Sequence, residues 1–189
     1  MEMKNKITTK KIVLTALLAA LTVVGSALRI TIPLDIAGTT SFHLGNIFCA
    51  LSGILLGPWY GGVAAGLGSA IYDMMNPLYI SECWLTFLTK GAYGLAAGLV
   101  IWGGKKEWGY CKALLAAVAG AMTYAFLYLA KGFFYNSLLL QGLTAEAAMV
   151  GLIGKLPATI FNAVVAILCA PLLALAIREA LKANHLSME

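Results

Sequence analysis

The chain has 189 residues, 61% of them hydrophobic and 11% charged, with a formal net charge of +5. Soluble domains carry about 25% charged residues, so this composition excludes a water-soluble globular protein and leaves an integral membrane protein. At about 20 residues for each crossing of roughly 30 Å of hydrocarbon, the length accommodates six helices with short loops, a single membrane domain over 1–189 with no soluble part.

Breaks at charges, glycines and prolines predict an all-α, six-helix membrane bundle with spans at 11–28, 42–56, 58–75, 84–102, 112–135 and 156–178. The first span comes after a basic head, Lys4, Lys6, Lys10 and Lys11, and ends near Gly25, Ser26 and Ala27, much as a signal peptide does. The chain beyond it is again apolar and membrane-like rather than an exported domain, so a span is the better reading. Spans two and three meet tightly at Gly57 and Pro58.

With both termini cytoplasmic, the inside collects Lys4, Lys6, Lys10, Lys11, Lys105, Lys106, Lys112, Arg178 and Lys182. Only Arg29, Lys90, Lys131 and Lys155 fall on the outer side, so the positive-inside rule holds nine to four. These cations flank spans, which argues for orientation in a plasma membrane rather than for nucleic-acid binding. The outer loops are then 29–41, 76–83 and 136–155, and the last contains LTAEAAMVGLIG, apolar enough to fold back as a lid or short helix. Cys49, Cys83, Cys111 and Cys169 lack CxxC spacing, and the topology sets Cys83 and Cys111 on opposite sides, so neither a disulfide framework nor a metal site is expected.

Small residues recur at every fourth position: Gly62, Gly66 and Ala70; Gly94 and Gly98; Ala113, Ala117, Ala121 and Ala125. Such stripes let helix backbones approach closely where lipid supplies no hydrophobic drive. Ala16 and Ala20 form a further small pair on the first span.

Lysine within hydrocarbon costs a few kcal/mol or more unless it meets a cavity, a partner or an interface, about 3 kcal/mol on insertion scales. Lys90, Lys131 and Lys155 therefore mark a candidate pocket for something anionic. Thr86, Lys90 and Tyr93 share one helical face; Tyr124, Tyr128, Lys131 and Tyr135 share another; Lys155, Thr159 and Asn162 a third. Tyrosines offer flat apolar surface and hydroxyls, asparagine a donor and an acceptor, and ammonium groups pair with carboxylate or phosphate. His43 and Asn46, together with Ser69, Tyr72, Asp73 and Asn76, stand where they can complete or gate the pocket. Snorkelling competes as an explanation for Lys131 and Lys155, which lie near helix ends. Lys90 lies about six residues, roughly 9 Å, below the outer end of its helix.

Catalytic signatures are missing. The turn at Gly103, Gly104 and Lys105 is not a P-loop, Gly68-Ser69-Ala70 is not GxSG, and there is no HExxH. Neither an enzyme nor a cofactor is expected, and ATP-driven work must come from partners.

The basic N-terminus, the AxxxA pair Ala16 and Ala20, the run FHLGNIFCALSGILLGPWYGGVAAGLGSAIYD with its LLGPWYGG junction (Leu55 to Gly62), and six spans in about 190 residues resemble the substrate-binding S components of energy-coupling factor transporters. The resemblance implies a six-helix subunit that captures a vitamin at an outward-facing site of helices four to six and the outer loops. It also implies association with a transmembrane coupling subunit and two ABC-type ATPases, with Ala16 and Ala20 at the contact. Riboflavin binders of this group often carry an aspartate in the area where this chain has Asn46. The lysines instead favour an anionic vitamin such as folate, pantothenate, or a phosphorylated pyridoxine or pyrimidine compound. The alternative is a self-sufficient homo-oligomeric transporter or channel, with the small-residue stripes as subunit contacts.

Overall fold

The structure, a computed structural model, describes residues 9–34, 39–103 and 108–184. Lys4, Lys6, Lys105 and Lys106, on which part of the orientation argument rests, lie outside the described residues. Helix α1 (Thr9–Ala27) leads into a hairpin of β1 (Arg29–Pro33) and β2 (Thr39–His43), then α2 (Gly45–Met74), a short 3-10 turn (Ile80–Glu82), α3 (Cys83–Trp102), α4 (Tyr110–Ala130) and α5 (Ala145–Ala183). Beyond Ala130 the backbone of α4 continues as a π-helical segment, Lys131–Leu140. Five helices among the described residues are long and apolar enough to cross a membrane.

Helix α2 contains the expected break. Gly57 takes φ +77°, a left-handed conformation that glycine adopts without steric cost, and Pro58 comes next without a backbone N–H. The helix folds back on itself there: Cys49 Sγ lies 3.7 Å from Ser69 Oγ, although twenty residues of straight helix would separate them by about 30 Å. The two arms, 45–56 and 58–74, are side by side, and a Cβ on Gly61 would stand 2.5 Å from the Ser52 carbonyl oxygen.

The small-residue stripes are spent inside the molecule. A Cβ on Gly53 would stand 2.4 Å from the Gly94 carbonyl oxygen, one on Gly98 2.3 Å from the Pro58 nitrogen, and one on Gly66 2.7 Å from the Phe87 carbonyl oxygen. Ala113, Ala117 and Ala121 are buried on α4. Large side chains such as Leu115, Met122, Phe126 and Leu168 point outward, the arrangement a lipid-facing exterior requires.

Two expectations change. The outer loop at 29–41 holds an antiparallel hairpin, with Arg29 opposite His43 and Pro33 opposite Thr39, so the all-α description omits one small sheet. The last helix begins at Ala145 rather than 156 and runs unbroken past Pro157 and Pro171. Prolines are tolerated inside membrane helices because neighbouring groups satisfy the freed carbonyls. The apolar segment expected as a separate lid is the first part of this helix, started by the Thr144 hydroxyl accepting from the Ala147 N–H at 3.3 Å.

Replacing Gly53 with valine forces backbones apart at the α2–α3 contact. We expect Gly53→Val to lower stability by about 2 kcal/mol or more, read as a fall in Tm in detergent. Trp59→Ala, at a 63% exposed position, should leave Tm nearly unchanged.

Candidate functional site

At one end of the bundle the hairpin covers a cavity of about 80 Å³. Ser26 from the end of α1, Arg29 from β1, and Thr40, Ser41 and His43 from β2 form its roof. Ser69 and Asp73 enter from the second arm of α2, Thr86 and Lys90 from α3, Tyr124 and Tyr128 from α4, and Thr159 and Asn162 from α5.

Lys90 is 4% exposed. Its ammonium donates to the Asn46 side-chain oxygen and lies 3.8 Å from the centre of the Tyr124 ring, a cation–π contact strengthened by desolvation. Tyr124 stacks at 5.8 Å on Tyr93 and at 5.6 Å on Tyr128, so three aromatic rings form a continuous wall. Tyr93 is the hidden end of that stack, fully buried with no partner for its hydroxyl among the described residues.

Asn162 fastens the roof. Its side-chain oxygen accepts from the His43 backbone N–H at 2.9 Å, and its amide donates to the Ser41 carbonyl at 2.8 Å. Phe42 meets Phe161 edge to face at 5.0 Å on the same contact. His43 accepts from the Gly45 N–H through Nδ1 at 3.2 Å. Burial, then the charges of Lys90 and Arg29, hold its imidazole well below the ordinary range, so it is neutral.

Arg29 donates through Nε to the Ser26 carbonyl at 2.9 Å, and its guanidinium lies 4.3 Å and 4.8 Å from the rings of Tyr72 and Tyr79. Two cations thus face the cavity, and among the described residues neither forms an ion pair with a carboxylate. Asp73 shares the cavity, leaving its ionised lining one positive charge in excess.

Of the residues singled out in the sequence, His43, Thr86, Lys90, Tyr124, Tyr128, Thr159 and Asn162 line the cavity. Asn46 and Tyr93 stand one layer behind, holding Lys90 and Tyr124. Lys131, Tyr135 and Lys155 are not brought to it. Lys131 pairs with Glu82, Tyr135 meets Trp84 edge to face at 6.2 Å, and Lys155 packs over Gly132. The π-helical segment begins at Lys131, so its wider turn takes Tyr135, but not Lys131 itself, off the face that a regular helix would share with Tyr124 and Tyr128. Ser69 and Asp73 line the cavity, whereas Tyr72 supports Arg29, and Asn76 donates to the Tyr72 hydroxyl at 3.2 Å. Arg29, counted in the sequence only as an outer charge, is the main addition; its place next to the end of a span was the available signal. On α1, Ala16 and Ala20 lie on the exposed face, while Thr15, Leu18, Ala19 and Thr22 pack inward.

A family model described as the S component of ECF-type riboflavin transporters matches residues 6–179. The chain belongs to this S-component family. It is accordingly a transport protein of the membrane and not an enzyme. An uncharacterized protein in a gap 3′ region of Pyrococcus woesei is 32% identical over 114 residues, covering 60% of this S component and 72% of the relative. In fold, the chain is similar to the crystal structure of an S component for biotin from an ECF-type ABC transporter, with TM-score 0.60 at 14% identity over 91% of this chain and 94% of that one.

Proposed function

We propose that this S component captures a small anionic vitamin in the cavity beneath the hairpin, for ATP-driven uptake by partner subunits. The observation that carries the reading is the pair of cavity-facing cations, Lys90 and Arg29, without a carboxylate ion pair among the described residues. A carboxylate or phosphate on the ligand supplies that counter-charge through charge-assisted hydrogen bonds, while Tyr128, which lines the cavity at the opposite end of the stack from Tyr93, offers ring surface to a flat ligand.

Size narrows the candidates. Pockets for drug-sized ligands occupy about 300–1,000 Å³, against about 80 Å³ here, so the hairpin must lift to admit a vitamin. A single-ring compound, such as a phosphorylated pyridoxine or pyrimidine, requires less opening than folate. Riboflavin, the vitamin in the family's description, is the second reading, favoured by the family match and by the aromatic wall.

In the proposed topology the two arms of α2 each cross the plasma membrane. The chain then makes six crossings with cytoplasmic termini and an outward-facing site. The exposed Ala16 and Ala20 face of α1 meets a transmembrane coupling subunit that works with two ABC-type ATPases. Use of the small-residue stripes within the bundle weighs against the self-sufficient homo-oligomer.

Lys90→Ala should weaken binding of an anionic single-ring vitamin roughly ten- to a hundredfold in a titration, the equivalent of one charge-assisted hydrogen bond, with helical content preserved. Unchanged affinity would remove Lys90 from the site. A double change of Ala16 and Ala20 to leucine should leave vitamin affinity intact and abolish co-purification with the coupling subunit; retention of the full complex would exclude that face as the contact.

A further inference from the structure

Capture of an anion by Lys90 and Arg29 leaves one ionised group of the cavity lining unused, the carboxylate of Asp73. It lies on the second arm of α2, is 7% exposed, lines the cavity and faces the Thr86 hydroxyl of α3. Thr86 precedes Lys90 by one helical turn, about 6 Å along α3, and both line the same cavity. The lining therefore offers a cation and, one turn away, a carboxylate. Among the described residues neither Lys90 nor Arg29 stands at ion-pair distance from Asp73. Where this fold neutralises a lysine it does so by contact, Lys131 to Glu82 at 2.5 Å. Asp73 is thus not a counter-ion built against either cation; it is a separate buried acceptor presented to whatever occupies the cavity.

A buried carboxylate without a charged partner is costly, and a purely anionic ligand in the same small cavity adds repulsion to that cost. A ligand that brings its own N–H donor removes both through a charge-assisted hydrogen bond. We infer that Asp73 is a specificity residue of the cavity and that the vitamin is amphoteric, with an acidic group at Lys90 and an amino group at Asp73. This rests on the anion-capture reading and narrows its substrate class. The charges sum accordingly. Lys90 and Arg29 against Asp73 leave one positive charge; a phosphate monoester carries about −2, so with one ammonium the ligand carries about −1 and balances the lining. A site whose buried polar group is left unpaired by the wrong ligand discriminates strongly against it. Ring compounds with an acidic group alone are therefore drawn by Lys90 and disfavoured by Asp73.

The test is equilibrium titration of the full chain with a matched pair, pyridoxamine phosphate and pyridoxine phosphate, which share ring and phosphate and differ in an ammonium against a hydroxyl. The wild type should bind the amine about tenfold or more tightly than the alcohol. Asp73→Asn, close in shape and uncharged, should bring the two affinities to within about threefold, and Glu179→Gln, at an exposed position, should keep the preference. Equal affinities in the wild type, or the same preference in Asp73→Asn, would overturn the inference; the wild-type preference alone decides if Asp73→Asn does not fold. Pyridoxamine without its phosphate separates this result from the capture reading. Binding as tight as that of the phosphorylated amine contradicts the anionic ligand itself, whereas dependence on phosphate without preference for the amine contradicts only the role of Asp73. If neither phosphate binds, mass spectrometry of the molecule retained through purification decides: an acidic group together with an amino group upholds the inference, and an acidic group alone overturns it.

Discussion

The contact of the Lys90 ammonium with Asn46 and the Tyr124 ring is the constraint around which the site is organised. An unpaired cation within an apolar bundle costs several kcal/mol. Here the cost is offset by a side-chain carbonyl from the first arm of α2 and the π-face of a tyrosine on α4. Both partners are neutral, so the charge is held without being cancelled. One lysine therefore joins three helices and still presents a net positive field to the cavity, which a close carboxylate would have quenched. The stack of Tyr93, Tyr124 and Tyr128 fixes the ring on which the ammonium rests.

That arrangement depends on how closely the helices approach. Gly53, Gly94 and Gly98 bring α3 against both arms of α2 within distances that leave no room for a Cβ, and the fold-back at Gly57 sets the two arms antiparallel. Small residues thus act indirectly on the site by fixing the spacing between Asn46 and Lys90. The hairpin is tied in a different way, through one asparagine and one aromatic pair. A few local contacts, set against the extensive packing of the helices, make the roof the element best suited to opening.

Much of this was legible in the sequence, for physical reasons that differ by element. The LLGPWYGG junction carries its own geometry, because a glycine can adopt the positive φ that breaks a helix and the proline after it has no N–H to restore the ladder, and the structure turns there. The small-residue stripes and the polar faces of α3 and α5 arise from helical spacing alone. The hairpin was hidden because RITIP and TTSFH are short and lie in what reads as a connecting loop; their pairing is a tertiary event. Pro157 suggested a boundary that helix packing overrides. Tyr135 was placed with Tyr124 by a regular helical period that the π-helical turn beginning at Lys131 breaks, whereas Lys131 keeps that period and is engaged by Glu82 instead. Arg29 follows just after the end of α1, a position that marks it in the sequence, but its place beneath the hairpin comes from the pairing of β1 with β2, with Arg29 opposite His43.

The central claim is that the cavity holds a small vitamin bearing a negative charge. Native mass spectrometry of the full chain, purified from its own membrane without added ligand, reads the bound molecule directly. The predicted result is one equivalent of an anionic, single-ring vitamin that is lost from Lys90→Ala. A neutral vitamin bound in one equivalent, retained by Lys90→Ala, would contradict it.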